Sequence, residues 1–205
     1  MRSLPRVAAL LTLVCPVVAT AESAQTLTKR DQQVLTKTLL HLVESGESNL
    51  TDFDPAGTQV LLAPRNPRKT DFLQPLQLKT DLRDQKVDPA LMEDVLARNS
   101  SRQLNPRSLD AVDASFKRFK PPAGVVVTEV PNGARGMRGI GELQALYPAA
   151  RCWVQCYLPG YSGDGNQALV RGLIGPTHRR GSVTCLLKRE HGKWSVVWQM
   201  ITRYH

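Results

Sequence analysis

The sequence predicts an α+β fold, with N-terminal helices packed on a mostly antiparallel sheet that ends in a four-stranded meander. Three observations carry that expectation. Apolar residues recur at helical spacing through the first half, and β-branched or alternating runs dominate the second. Seven of the eleven aromatics lie from Tyr147 onward, including every Trp and every Tyr. Of the 205 residues, 41% are hydrophobic and 22% charged, values of a globular chain rather than a disordered one.

Residues 1–21 read as an export signal rather than as structure. Arg2 and Arg6 give a positive start, and Val7 to Val18 is an apolar run broken by Thr12, Cys15 and Pro16. Ala19-Thr20-Ala21 then supplies the small-x-small pattern that precedes a cleavage site, predicting a mature chain that begins at Glu22. Lipoprotein processing at Cys15 is the alternative, but Thr12 and Val14 do not fit such a site well. No window approaches the roughly 20 consecutive apolar residues of a membrane-spanning helix. A single exported domain over 22–205 is therefore expected, in the periplasm or outside the cell, helix-rich over 22–122 and strand-rich over 123–205.

The elements follow in order. Thr28 with Asp31 resembles a capping box, and Val34, Leu35, Leu39, Leu42 and Val43 form a helical stripe that Gly46 can end. Val60-Leu61-Leu62-Ala63, closed by Pro64, reads as a short strand over about 58–63. Residues 64–87, with prolines at 64, 67 and 75, read as a surface connection holding at most a short strand. Asp88-Pro89 opens a second helix with Leu91, Met92, Val95 and Leu96 as its stripe and Asn99-Ser100 at its end. Ser108 caps a third, with Leu109, Val112, Phe116 and Phe119 on one side and Pro121-Pro122 as the stop. Val125 to Val130 is a strand by its β-branched run.

Four antiparallel strands are expected near 151–158, 167–174, 182–189 and 193–202. Asp164-Gly165 and His191-Gly192 supply turns, and Gly175 to Gly181 a longer loop. Alternation places Val154, Val170, Val183, Cys185, Leu187 and Val196 on the core face. Arg171, Lys188 and Gln199 fall on the opposite parity, toward water or a cavity.

Once Cys15 leaves with the signal, Cys152, Cys156 and Cys185 remain. The first two share a strand face about 13 Å apart and cannot bond each other there. They read as three small buried hydrophobes, with a disulfide from one of them to Cys185 as the alternative.

Few motifs carry chemistry. Gly160-Tyr-Ser162-Gly-Asp164 lacks the second glycine of a nucleophile elbow, so Ser162 reads as a loop serine before a turn. Gly133, Gly136, Gly139 and Gly141, with Arg135 and Arg138, could cradle an anion, but no phosphate-loop pattern is present and an exposed loop is the expectation. His41, His178, His191 and His205 lack metal-ligand spacing, so no metal or cofactor is implied. Asp52 and Asp54 lack the rest of a calcium loop.

Leu158-Pro-Gly-Tyr-Ser-Gly-Asp-Gly165, Ala168-Leu-Val-Arg171, Gly175-Pro-Thr177, Leu186-Leu187 and Gly192-Lys-Trp194 together resemble a group of uncharacterised secreted bacterial proteins. The Val34–Val43 helix and the Leu96-Ala-Arg-Asn-Ser100 helix end fit that pattern. The resemblance implies export and an α+β domain, and no activity. The Gly-Lys-Trp ending also resembles the last hairpin of nuclear-transport-factor-like and polyketide-cyclase-like cones, which bears on fold and not on function.

The formal net charge is +9, and residues 146–205 hold eight basic and two acidic residues, a balance of +6. The candidate ligand-binding group is Tyr161, Asp164, Arg171, His178, Arg179 and Arg180, because a Pro- and Gly-bounded loop can gather two guanidiniums and an imidazole opposite the 159–166 turn. The simpler expectation is that these are solvated turns, with Asp164 supporting its own. The functional expectation is an exported binding domain without catalysis, for an anionic or cell-envelope ligand or another exported protein. Nucleic acid is not the expected partner despite the positive charge, since export removes the natural substrate. A small cone-fold enzyme or ligand-cavity protein for an apolar molecule is the alternative, and it requires a pair such as His178 and Asp164 pointing inward.

Overall fold

The structure, a computed structural model, describes residues 26–45, 57–64, 75–99, 106–129, 137–175 and 181–203. Residues 1–21, read from sequence as an export signal, therefore lie outside the described residues. So do Gly46, Asp52 and Asp54, and residues 176–180, which include His178, Arg179 and Arg180.

Helix α1 (Lys29–Glu44) opens on the capping box read from its sequence. The Thr28 hydroxyl accepts from the Asp31 N–H at 3.1 Å, and Asp31 Oδ2 accepts from the Thr28 N–H at 2.8 Å. Its buried side comprises Val34, Leu35, Leu39 and Leu42. Strand β1 (Gln59–Leu62) follows. The expected surface connection then contains a helix, α2 (Pro75–Asp81). Pro75 occupies a first-turn position, where its missing N–H costs nothing, and Leu78 and Leu82, four apart, are both buried.

Helix α3 (Pro89–Asn99) starts as its sequence requires, with Asp88 Oδ1 accepting from the Ala90 N–H at 2.9 Å. Helix α4 (Pro106–Lys117) begins two residues before Ser108, which is thus inside the helix rather than its cap. Strand β2 (Val125–Val127) is half the expected length. Of the glycine run read as an exposed loop, Gly133, Arg135 and Gly136 lie outside the described residues, while Gly139 and Gly141 belong to helix α5 (Met137–Leu146). Strands β3 (Ala150–Cys156), β4 (Gly160–Tyr161), β5 (Gln167–Gly175), β6 (Gly181–Glu190) and β7 (Lys193–Arg203) complete the chain. His191 and Gly192 both have positive φ, 50° and 78°, the mirror-image turn that matches strand twist across a two-residue hairpin.

The strands form one seven-stranded sheet, in the order β2-β1-β3-β5-β6-β7 with β4 also on β5. It is mixed rather than mostly antiparallel, because β1 lies between β2 and β3 and runs parallel to both. Parallel neighbours need crossover connections, and the helices between β1 and β2 and between β2 and β3 supply them. The pairs β3–β5, β5–β6 and β6–β7 are antiparallel.

Both faces of the sheet are covered. Side chains of α1 and α4 (Val34, Leu35, Leu39, Val112, Phe116) pack against Val60, Cys152, Val154, Val170, Val183, Cys185 and Leu187. On the other face Leu78, Leu82, Leu91 and Val95 of the α2–α3 region pack against Tyr157, Leu169 and Leu186. Leu143 of α5 packs with Leu61 and Ala150. The expected core positions are thus buried, with Val196 half-buried at the rim.

Two expected solvent positions are corrected. Arg171 does lie opposite the first core, but α2 roofs that face, so its side chain is fully buried rather than in water or an open cavity. Gln199 lies opposite Cys185, its Oε1 3.7 Å from the Cys185 Sγ, because the β6–β7 register slips between Leu186 and Leu187. One extra residue in a strand reverses the parity of everything beyond it. Cys152, Cys156 and Cys185 are buried thiols, and none is in a disulfide.

Candidate functional site

The most distinctive stretch, residues 158–165, is where charged side chains gather. The strand formed by β3 and β4 leaves the sheet ladder at Leu158-Pro159, and Pro159 has no N–H to donate. Backbone groups freed in a buried place need partners. Helix α3 provides them. The Asn99 amide donates to the Leu158 carbonyl and accepts from the Leu158 N–H, each at 2.8 Å, standing in for a strand neighbour. Arg98 donates to the Pro159 carbonyl. Gly160 has no side chain because none fits: a Cβ there would sit 2.5 Å from the Val95 nitrogen. Asp94 Oδ2 accepts from the Tyr161 N–H at 2.8 Å, and the cap residue Asp88 uses its second oxygen to accept from the Gly163 N–H at 3.0 Å.

Asp31 lies at the centre of this clasp, fully buried. Its Oδ1 accepts from Arg98 Nη1 at 2.9 Å and from the Tyr161 hydroxyl at 2.7 Å, and its Oδ2 accepts from Arg98 Nη2 at 3.0 Å. The Arg98 fork is therefore bidentate, the arrangement in which a guanidinium offsets most of a carboxylate's lost hydration. Arg30 lies over the Tyr161 ring, its Cζ 3.8 Å from the centroid, and donates to the Gly165 carbonyl. Trp194 completes the group, 6.2 Å from Tyr161 and 5.5 Å from the Arg30 Cζ.

Burial alone would raise the Asp31 carboxyl. The hydrogen bonds and charge of Arg98, with the Thr28 N–H and the Tyr161 hydroxyl, outweigh it and hold the group below the ordinary carboxylate range. Tyr161 moves the other way, because burial and the facing Asp31 carboxylate both penalise a phenolate. At neutral pH one group is firmly ionised and the other firmly protonated. The bond between them ties the first turn of α1 to β4.

Of the predicted site residues, the three that are described, Tyr161, Asp164 and Arg171, stand apart from one another. Tyr161 belongs to the clasp. Asp164 is on the outside, its Oδ1 accepting from the Ser162 hydroxyl at 2.6 Å and the Asn166 N–H at 2.9 Å. It supports its own turn, and Ser162 is a turn serine whose Oγ also accepts from the Gln167 N–H. Asp164 therefore does not point inward, as the cone-enzyme alternative requires. Arg171 is on the far face, donating to Asp81 Oδ2 at 2.6 Å and to the Thr184 hydroxyl at 3.0 Å. His178, Arg179 and Arg180 lie outside the described residues.

Sequence reading missed the clasp. It read Asp31 only as a cap and Arg98-Asn99 only as a helix end, and it passed over Arg30. The available signal was two long polar side chains in the last turn of a helix whose other face is apolar.

Above the clasp, the β6–β7 hairpin presents Lys188, Arg189, His191 and Lys193, all exposed, with Glu190 the acidic residue among them. The Arg189 guanidinium lies 6.0 Å from the ring of buried Trp194. Among the described residues no group of His, Cys, Asp and Glu could hold a metal ion, and no helix is long and apolar enough to cross a membrane. Comparison with protein-family models, curated proteins and solved structures finds no match to this chain.

Proposed function

We propose that the chain is an exported binding domain, without catalysis of its own, that recognises an anionic ligand of the cell envelope or of another exported protein. One observation supports this above the rest: among the described residues, the exposed cations of the last 60 positions gather at the β6–β7 hairpin end. Lys188, Arg189 and Lys193 stand there beside Glu190, while Asp164, the other acidic residue of this region, is engaged in its own turn. Clustered cations on an aromatic base favour an anion through long-range attraction and short-range charged hydrogen bonds. Arg179 and Arg180 add to the same positive region of sequence. Export rests on the Arg2-to-Ala21 signal pattern and on the resemblance to secreted bacterial proteins.

Titrating the purified protein with polyphosphate at low salt tests the reading. Binding that weakens with salt and is lost in Lys188→Ala/Arg189→Ala/Lys193→Ala supports it. Binding that is absent, or unchanged in that variant and in Arg179→Ala/Arg180→Ala, overturns it. Export is tested by the mass of protein recovered outside the cytoplasm, expected to begin at Glu22.

A further inference from the structure

We propose that the outer edge of β7 is a docking edge that takes an extended, acid-flanked peptide segment as an additional strand. This goes beyond the anion-binding reading, which needs only side-chain charge, by assigning a role to the backbone.

Strand β7 ends the sheet, and among the described residues nothing pairs with its outer side. It is 11 residues long, against three for β2 at the opposite edge. Proteins guard long edges with charges inside the strand, with proline or with bulges. Between Lys193 and Arg203 this strand has no charged residue and no proline. Its guard is the register slip that leaves Val197 without a partner on β6. Val197 and Met200 remain 48% and 38% exposed, beside half-buried Trp198. Among the described residues the edge therefore offers backbone N–H and C=O groups with no strand beside them and apolar surface along its middle, the two requirements for strand addition.

Charge selects the occupant. Lys193 opens the strand and is exposed, and Lys188 and Arg189 are exposed on the adjoining end of β6. An incoming strand meets these cations at the hairpin end and apolar atoms along the middle of β7. A second copy brings cations of the same sign to this edge, whereas a glutamate or aspartate beside the apolar run of a partner segment supplies the opposite charge.

The test uses the purified protein and three synthetic peptides of alternating valine and threonine. One is flanked by glutamates, one is its analogue N-methylated at every central amide, and one is flanked by lysines. The glutamate peptide is expected to bind and to slow hydrogen exchange of β7 amides. Both analogues are expected to bind about tenfold more weakly or worse, the loss of one or two backbone hydrogen bonds or of the end charges. Equal binding of the N-methylated peptide overturns strand addition and leaves anion binding standing. Failure of all three peptides while polyphosphate still binds does the same. A dimer that protects the β7 amides without peptide overturns the proposal in favour of self-pairing.

Discussion

The Tyr161 hydroxyl donates to Asp31 Oδ1 at 2.7 Å across 130 positions of sequence. That bond joins the first turn of α1 to the β4 hairpin, and Arg98 of α3 closes the same carboxylate from its other side. Three segments remote in the chain thus share one buried charge. Tyr161→Phe removes a hydrogen bond to a charged group and is expected to cost about 1.5–3 kcal/mol in chemical denaturation. Arg98→Ala leaves Asp31 buried without its counter-charge and is expected to cost more, about 3–5 kcal/mol. Equal losses from the two variants would refute the ion pair's leading role.

Asp31 also sets a pH dependence. Its carboxyl is held below the ordinary value of 3.8 in the folded state, so the unfolded chain binds the proton more tightly. The stabilisation is whole above 3.8 and is lost as pH falls through the lower folded value. Thermal unfolding of the protein should show an acid-side decline that is shallower in Asp31→Asn. Parallel declines in both would refute the assignment.

Two glycines are expected to respond in opposite directions to alanine. At Gly160 a Cβ would press on the Val95 backbone, with its nitrogen at 2.5 Å and its Cα at 2.7 Å, and neither can yield without moving α3. Gly160→Ala should lower the melting temperature sharply. At Gly141, inside α5, a Cβ meets nothing within 4 Å. Gly141→Ala should stabilise by about 0.5–1 kcal/mol through reduced backbone freedom of the unfolded chain.

The Arg171–Asp81 pair holds α2 over the second face, with side chains 0% and 3% exposed. Asp81→Ala strands a buried guanidinium and is expected to cost about 3–5 kcal/mol. The double variant Asp81→Leu/Arg171→Met should recover most of that loss, since an apolar pair of similar volume needs no compensation. A double variant as unstable as the single one would show that the pair contributes more than mutual neutralisation.

Burial pushes the Cys152 and Cys156 thiols up to about 12. A thiol-specific disulfide reagent at pH 8 should therefore leave both unmodified in the folded protein and react with them promptly in denaturant. Rapid modification of either in native conditions would contradict their placement in the core.

Local chemistry was readable from the chain. The Thr28–Asp31 box, the Asp88-Pro89 helix start and the His191-Gly192 turn each rest on neighbours within four residues. Helix α2 was hidden because Pro75 is punctuation in a loop and an opener in a helix, and Leu78 and Leu82 complete too short a period to choose. Nothing local shows that β1 inserts in parallel between β2 and β3, since pairing partners are set by packing across the whole sheet. The clasp was hidden for a related reason. A capping aspartate fully accounts for its own sequence position, and its spare lone pairs are spent on residues 67 and 130 positions away.

That spacing gives the chain a calendar. Asp31 comes early in the chain, Arg98 later and Tyr161 later still, so the carboxylate of α1 gains its full set of partners only when α3 and then β4 have folded against it. A chain cut between Arg98 and Tyr161 loses the hydroxyl bond, and one cut before Arg98 loses the counter-charge as well. The closing strands of this protein are thus the condition on which its opening helix becomes permanent.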